Sequence, residues 1–269
     1  MHLDTFYENK KDLAQYFFAD GLMDMPHFHK EIEIVVSLGG ESRTVADKNI
    51  SNITDGDIFI AFPNQIHFYN TTVPGRYLII IFSPDVVPQM KQLFSENIPL
   101  YNKFSFLNTP LEEILNRMIR ELSEDDKYFL TKLIGYINII MSEIIPSLQL
   151  CAFNSASASL AKKILHYCAD NYSNNISLEV LAKELHTSKF HISHIFHDNF
   201  HMSLPDYIAY LRVYSACRLL KTTDGTITEI SQVVGFGTIR SFNGAFLKIT
   251  GTTPSKYKSE PFSDVNITN

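Results

Sequence analysis

The chain has 269 residues, 45% of them apolar and 12% aromatic, enough for two domains with cores of ordinary size. Its 23 Lys+Arg against 29 Asp+Glu give a formal charge of −6, unevenly placed: residues 155–260 hold 11 basic and 8 acidic side chains, residues 1–154 hold 12 and 20, so a nucleic acid is expected to meet the C-terminal half. Three cysteines, Cys151, Cys168 and Cys217, make no CxxC pair and leave an odd count, which argues against a disulfide framework and for the reducing cytoplasm.

Met1–Phe18 is broken by Asp4, Glu8, Lys10, Lys11 and Asp12 and does not read as a signal peptide. The most apolar windows, Tyr77–Phe82 and Leu130–Ile145, are too short or too interrupted by Lys132, Asn138 and Glu143 to span a bilayer, so no membrane partner is expected. From Glu31 to Phe82 the sequence is strand-like. Glu31–Ser37 alternates and ends at Gly39-Gly40, Ser42–Ala46 follows, and turns at Asp55-Gly56, Pro63-Asn64 and Pro74-Gly75 lead into Ile58–Phe62, His67–Tyr69 and Arg76–Phe82. Five strands at hairpin spacing predict a small barrel or sandwich.

The run His27-x-His29-x-x-x-Glu33, with six residues between Glu33 and Gly40, resembles the first cupin motif, and Gly56-Asp57 followed by Pro63 and His67 resembles a looser form of the second. Gln65 stands where that motif usually has glycine, and the spacing to His67 is shorter. His27, His29, Glu33 and His67 offer three imidazoles and a carboxylate, a donor set for zinc, manganese or iron. The departures argue against ligation, so no metal and no other cofactor is assigned. The four are read as polar groups at a barrel mouth that hydrogen-bond a small effector, with Phe62, Tyr69 and Tyr77 as aromatic wall candidates suited to a sugar or similar solute.

After a proline-rich passage, Leu111 to Leu122 and Phe129 to Ile145 keep helical apolar spacing. Faces this apolar need a partner, either the outer wall of the barrel or the same helices of a second chain. Residues 150–159 turn small and polar and read as a linker. The division is thus 1–149, an effector and dimerisation domain; 150–159, a linker; 160–260, a helical DNA-binding domain; and 261–269, a tail. The fold class is α+β, a cupin-like β-barrel with appended helices followed by an all-α domain.

The C-terminal part is written twice. Leu181 and Ile230, Ala182 and Ser231, and Leu185 and Val234 are offset by 49; Ile192 and Phe242, Phe196 and Phe246, His201 and Gly251, and Tyr207 and Tyr257 are offset by 50. Two helix-turn-helix units, the second with one extra residue in its turn, account for both offsets. Gly235-Phe236, Phe242, Phe246, Gly251, Thr253-Pro254 and Tyr257 together resemble the signature of the AraC/XylS family of transcriptional regulators, and the segment Tyr207–Leu220 is similar to that family's linking helix.

The resemblance implies two readers on successive major grooves, about 34 Å apart, and a cupin-like effector domain. It also implies a homodimer through helices in 111–146, an activator's contact with RNA polymerase, and no enzyme activity. The outward residues are Ser188, Lys189, Phe190, Ser193, His194 and His197 in the first unit and Thr238, Ile239, Arg240 and Asn243 in the second. Arg suits guanine, Asn adenine, and Phe or Ile a thymine methyl. Arg212 and Lys248 are expected at phosphate or solvent. His194 and Gly244 stand where the family often has an outward Arg, and His186 and His201 where it usually has Gly. The competing readings are a metal-dependent cupin enzyme and a DNA binder indifferent to any solute.

Overall fold

The computed structural model describes residues 13–22, 25–47, 49–123, 125–152 and 155–259, with the side chains of 155–159 left aside. The chain divides into two compact units, one of β-strands and helices built on residues 28–152 and the strand before them, the other chiefly helical and built on residues 155–259, with which Met25–His27 group. The architecture is α+β, as expected.

Three strands of the first unit, Ile32–Ser37 (β2), Asp57–Ala61 (β5) and Tyr77–Phe82 (β7), are buried at every position. Strands covered on both faces need such near-continuous apolar sequence, because neither side of the pleat meets water. They sit side by side in an antiparallel sheet of order β1-β7-β2-β5-β9, with Ala14–Ala19 (β1) and Lys103–Ser105 (β9) as its edges. Glu41–Ala46 (β3) pairs with Asn49–Ile53 (β4) and His67–Val73 (β6) in a second sheet of order β4-β3-β6.

Alternation sorts the buried side chains into two layers. Ile32, Ile34, Val36, Ile58, Ile60, Leu78 and Ile80 face Leu115 and Met118 of one helix, Pro110–Glu121, and Leu133, Ile137, Ile140, Met141 and Ile144 of another, Phe129–Ser147. Val35, Phe59, Ala61, Ile79 and Ile81 face Ala46, Ile53 and Tyr69 of the second sheet. Each such side chain contributes ~1.5–3 kcal/mol on leaving water, so these layers dominate the unit's stability. The partner of the two apolar helices is therefore the sheet itself. The helix Phe129–Ser147 is long and apolar enough in composition to cross a bilayer, but its five most apolar inward positions are fully buried in this core.

The sequence reading missed β1 and β4. Both are edge strands, and β4 (Asn-Ile-Ser-Asn-Ile) is buried only at Ile53, so its composition carries little of the central strands' signal. The expected linker 150–159 is shorter than read: Leu150–Ala152 (β10) pairs antiparallel with Asn97–Pro99 (β8), and a helix starts at Ser155. The tail 261–269 lies outside the described residues.

Numbered in chain order, the helices of the first unit are Lys91–Glu96 (α1), Pro110–Glu121 (α2) and Phe129–Ser147 (α3), and those of the second are Ser155–Asn171 (α4), Leu178–Glu184 (α5), Lys189–Phe200 (α6), Leu204–Thr222 (α7), Ile227–Val233 (α8), Ile239–Thr250 (α9) and Pro254–Ser259 (α10). The duplication holds in three dimensions. Phe196 packs on Tyr207 with ring centroids 6.0 Å apart, and Phe246 packs on Tyr257 at 5.4 Å, so the two copies close their cores with the same aromatic pair. The additional residue of the second copy falls between Gly235 (φ 92°) and the cap Thr238, where the first copy has only Thr187 between His186 (φ 51°) and the cap Ser188.

Candidate functional site: two recognition helices and a buried polar cluster

Each recognition helix starts at a side-chain cap. The Ser188 hydroxyl accepts from the His191 amide at 3.1 Å at the head of α6, and the Thr238 hydroxyl accepts from the Ser241 amide at 3.1 Å at the head of α9. With the starts set, helical spacing turns Ile192, Ile195 and Phe196, and Phe242, Phe246 and Ile249, into the cores. All ten residues expected to face outward are exposed: Ser188, Lys189, Phe190, Ser193, His194 and His197 on α6, Thr238, Ile239, Arg240 and Asn243 on α9 and its cap. Phe190 is 71% exposed and Ile239 40%, apolar groups held in water on the first turn of each helix. Such a position suits contact with thymine methyls.

One of the two cations expected at phosphate or solvent falls elsewhere. Arg212 is half-buried: its Nε donates to the Tyr172 carbonyl at 2.7 Å and its Nη2 to the Asn174 carbonyl at 2.9 Å, so it ties the chain beyond α4 to α7. Burial holds its pKa below the usual guanidinium value. Lys248 lies 3.3 Å from Asp206 at the surface.

The β unit brings four of its predicted residues together. His29 Nε2 lies 3.2 Å from Glu33 Oε2, His67 Nε2 lies 3.5 Å from the same oxygen, and the Tyr69 hydroxyl donates to Glu33 Oε1 at 2.6 Å. One ligand atom from each of His27, His29, Glu33 and His67 falls within 4.8 Å of the others. Burial alone would push the Glu33 carboxyl up, but hydrogen bonds and charge from His29 and His67 together outweigh it and hold the group well below the usual carboxylate range. Burial first, then Glu33, holds the Tyr69 phenol well above its ordinary value.

The strands explain the meeting. Glu33 and Val35 share the inner face of β2, and His67 and Tyr69 share the inner face of β6 across from it. Phe62 is not part of the cluster: it belongs to the helix-facing layer, where its ring meets Phe94 at 4.9 Å. One residue's difference in strand position decides the face. Tyr77 is on the inner face but pairs with Ser37, four positions along β2 from Glu33 and so ~13 Å away; burial and then Glu41 push its phenol up to about 12.

Gln65 was read only as a departure from a motif. It is fully buried; its Oε1 accepts from the Phe62 amide at 2.9 Å and its backbone carbonyl accepts from His67 Nδ1 at 2.9 Å. Asn102 joins it, with Nδ2 donating to the Ile60 carbonyl at 2.7 Å and to Gln65 Oε1 at 3.1 Å. A glutamine in an apolar turn was the available signal; Asn102 had none, because its partners lie about 40 residues away.

Against this geometry the relatives are consistent. Residues 22–130 match the AraC-like ligand binding domain family and residues 181–260 a helix-turn-helix domain family. The Msm operon regulatory protein of Streptococcus mutans is 24% identical, with 94% of this chain and 91% of that protein covered. The melibiose operon regulatory protein of Escherichia coli is 21% identical, with 94% and 90% covered. The structure of ToxT from Vibrio cholerae superposes with a TM-score of 0.53 over 92% of this chain and 98% of that one, at 12% identity, a likeness of fold alone. A ligand-binding β unit joined to a duplicated helix-turn-helix unit defines a DNA-binding transcription regulator that senses a small molecule. The chain belongs to the AraC family of such regulators.

Proposed function

We propose that this regulator reads operator DNA with Ser188, Lys189, Phe190, Ser193, His194 and His197 of one unit and Thr238, Ile239, Arg240 and Asn243 of the other. The observation that carries this reading is that both capped helices leave these groups in water while Ile192, Ile195 and Phe196, and Phe242 and Phe246, are buried. Arg240 and Asn243 specify bases, whereas Lys189 positions the helix on phosphate. Arg240→Ala is expected to weaken operator binding about tenfold or more, a loss of ~1–3 kcal/mol, and to relax selectivity at one base pair. Fluorescence anisotropy with the operator and with single-base variants measures both. An equal loss on every sequence would move Arg240 from base to phosphate.

The effector is a carbohydrate or related polyhydroxylated metabolite, held at His27, His29, Glu33, His67 and Tyr69. Convergent imidazoles, a carboxylate and a phenol match the donors and acceptors of a sugar, and the melibiose operon regulator is a relative. Phe62 is omitted for its face and Tyr77 for its distance. Thermal-shift screening of the full chain against sugars and other metabolites tests this. The expected result is a saturable rise in Tm by a sugar that Tyr69→Phe weakens; no sugar producing one would overturn the class.

The same reading makes the protein a cytoplasmic homodimer through helices in 111–146, an activator acting through RNA polymerase, and not an enzyme. Ile139, 49% exposed on α3, is an apolar group such a pairing would cover. Sedimentation equilibrium should show a dimer that Ile139→Asp weakens.

A further inference from the structure

We infer that His194 and His197 make the first recognition helix, α6, a proton-dependent reader: its hold on DNA tightens as pH falls from about 8 to 6, while that of α9 is indifferent to pH over the same range. The inference rests on the recognition reading proposed above and adds a means of regulation to it.

The first observation is placement. Helical spacing sets His194 and His197 on one stripe with Phe190, opposite the buried Ile192, Ile195 and Phe196. Their side chains are 77% and 87% exposed, so any charge they take on is delivered to the face that meets phosphate.

The second is the balance of fixed charge. On α6 the single lysine, Lys189, and the single carboxylate, Asp198, cancel. Lys189 Nζ also lies 3.5 Å from Glu179 Oε1, and Asp198 lies 2.7 Å from His197 Nδ1 and 4.0 Å from His194 Nδ1. With neutral imidazoles the helix therefore offers DNA no net positive charge. The equivalent helix of the second copy, α9, has Arg240 and Lys248 with no acid and no histidine. The duplication thus sets a titratable reader beside a permanently charged one.

The third is the company these rings keep. The elements packed on α6 carry Glu179, Lys183 and Glu184 (α5), Lys162, Lys163, His166 and Asp170 (α4), and Asp206, Arg212, Arg218 and Lys221 (α7). Carboxylates, ammonium and guanidinium groups hold their charges across about pH 6 to 8, whereas imidazole changes its own there. His191, whose Nδ1 lies 3.3 Å from the Thr187 hydroxyl, is the third histidine of α6, and His186 and His201 occupy the turns on either side of it. A proton on His197 neutralises Asp198, and one on His194 adds a charge of its own. Phosphate stabilises both imidazolium ions, so the complex takes up protons that the free protein lacks; by linkage, each such proton strengthens binding as pH falls.

The test uses the full chain and a duplex selected with it in vitro from random sequence at pH 7, followed by fluorescence anisotropy between pH 6 and 8 at fixed ionic strength. Binding should be about tenfold or more tighter at pH 6, and the slope of log affinity against log salt steeper there by ~1–2. The double variant H194Q/H197Q, altered only at exposed positions and checked for folding by circular dichroism, should lose both effects. Hydroxyl-radical footprints should show the half of the duplex read by α6 gaining protection at pH 6, with the other half unchanged. A flat profile for the original chain, a pH response that H194Q/H197Q retains, or protection that rises equally on both halves would overturn the inference. Weakening by Lys189→Ala and Arg240→Ala alongside a flat profile sinks the inference alone; no weakening by either variant sinks the recognition reading and the inference with it.

Discussion

At positive φ a side chain's Cβ crowds its own carbonyl, at ~1–2 kcal/mol for most residues. His186 at 51° and His201 at 50° carry that strain, while the equivalent residues of the second copy, Gly235 and Gly251 at 92° and 68°, do not. His186→Gly or His201→Gly is therefore expected to stabilise the helical unit by ~1 kcal/mol and raise Tm by a few degrees in a circular-dichroism melt. Gly235 is the converse, since a Cβ there would stand 2.3 Å from the Ser173 carbonyl oxygen, and Gly235→Ala should lower stability by ~2 kcal/mol or more. The thiols divide by burial. Burial pushes Cys168 and Cys217 up to about 12, whereas Cys151 is only partly covered. Iodoacetamide at pH 8 should label Cys151 alone in the native protein and all three cysteines in denaturant, as read by mass spectrometry. Unfolded thiols ionise near ~8.5 and the two buried ones near about 12, so their contribution to stability is intact below the first value and fades as pH climbs through the second.

At the scale of elements, the helical unit depends on short helices stopped and started by polar side chains. Thr226 and Glu229 form a reciprocal capping box at the head of α8, so Thr226→Ala should cost ~1 kcal/mol. Arg212 acts across elements: removing it strands the Tyr172 and Asn174 carbonyls, and Arg212→Ala should destabilise the unit by ~2 kcal/mol in urea melts while leaving the salt dependence of operator binding unchanged. A drop in that dependence would restore Arg212 to the phosphate contacts. In the β unit the corresponding tie is Gln65 with Asn102, which holds the turn that presents His67.

For the molecule as a whole, charge sets how the DNA complex responds to salt. The outward face of α6 has Lys189 as its fixed cation and α9 has Arg240 and, two turns on, Lys248 next to Asp206, with His194 and Gly244 where an arginine is common in the family. Each neutralised phosphate adds ~0.9 to the slope of log affinity against log salt, so this chain should show a shallow slope, and Lys189→Ala should reduce it by ~1. Anisotropy titrations at several salt concentrations give the slopes directly. A net charge of −6 also repels DNA from the rest of the chain.

What could be read from the chain alone was whatever repeats locally. Helical spacing, caps within three residues and two offsets differing by one fixed both recognition faces, the αL positions and the place of the inserted turn residue, because each depends on neighbours within one turn. The central strands were equally legible, since burial on both faces demands unbroken apolar sequence. Pairing across distance was not. The edge strands β1 and β4, the sheet as partner of α2 and α3, the exclusion of Phe62 by strand face, and the employment of Arg212 on carbonyls all depend on which residues meet after folding. So does the geometry of the cluster: motif resemblance grouped His27, His29, Glu33 and His67, but only the fold sets His29, His67 and Tyr69 on the Glu33 carboxylate.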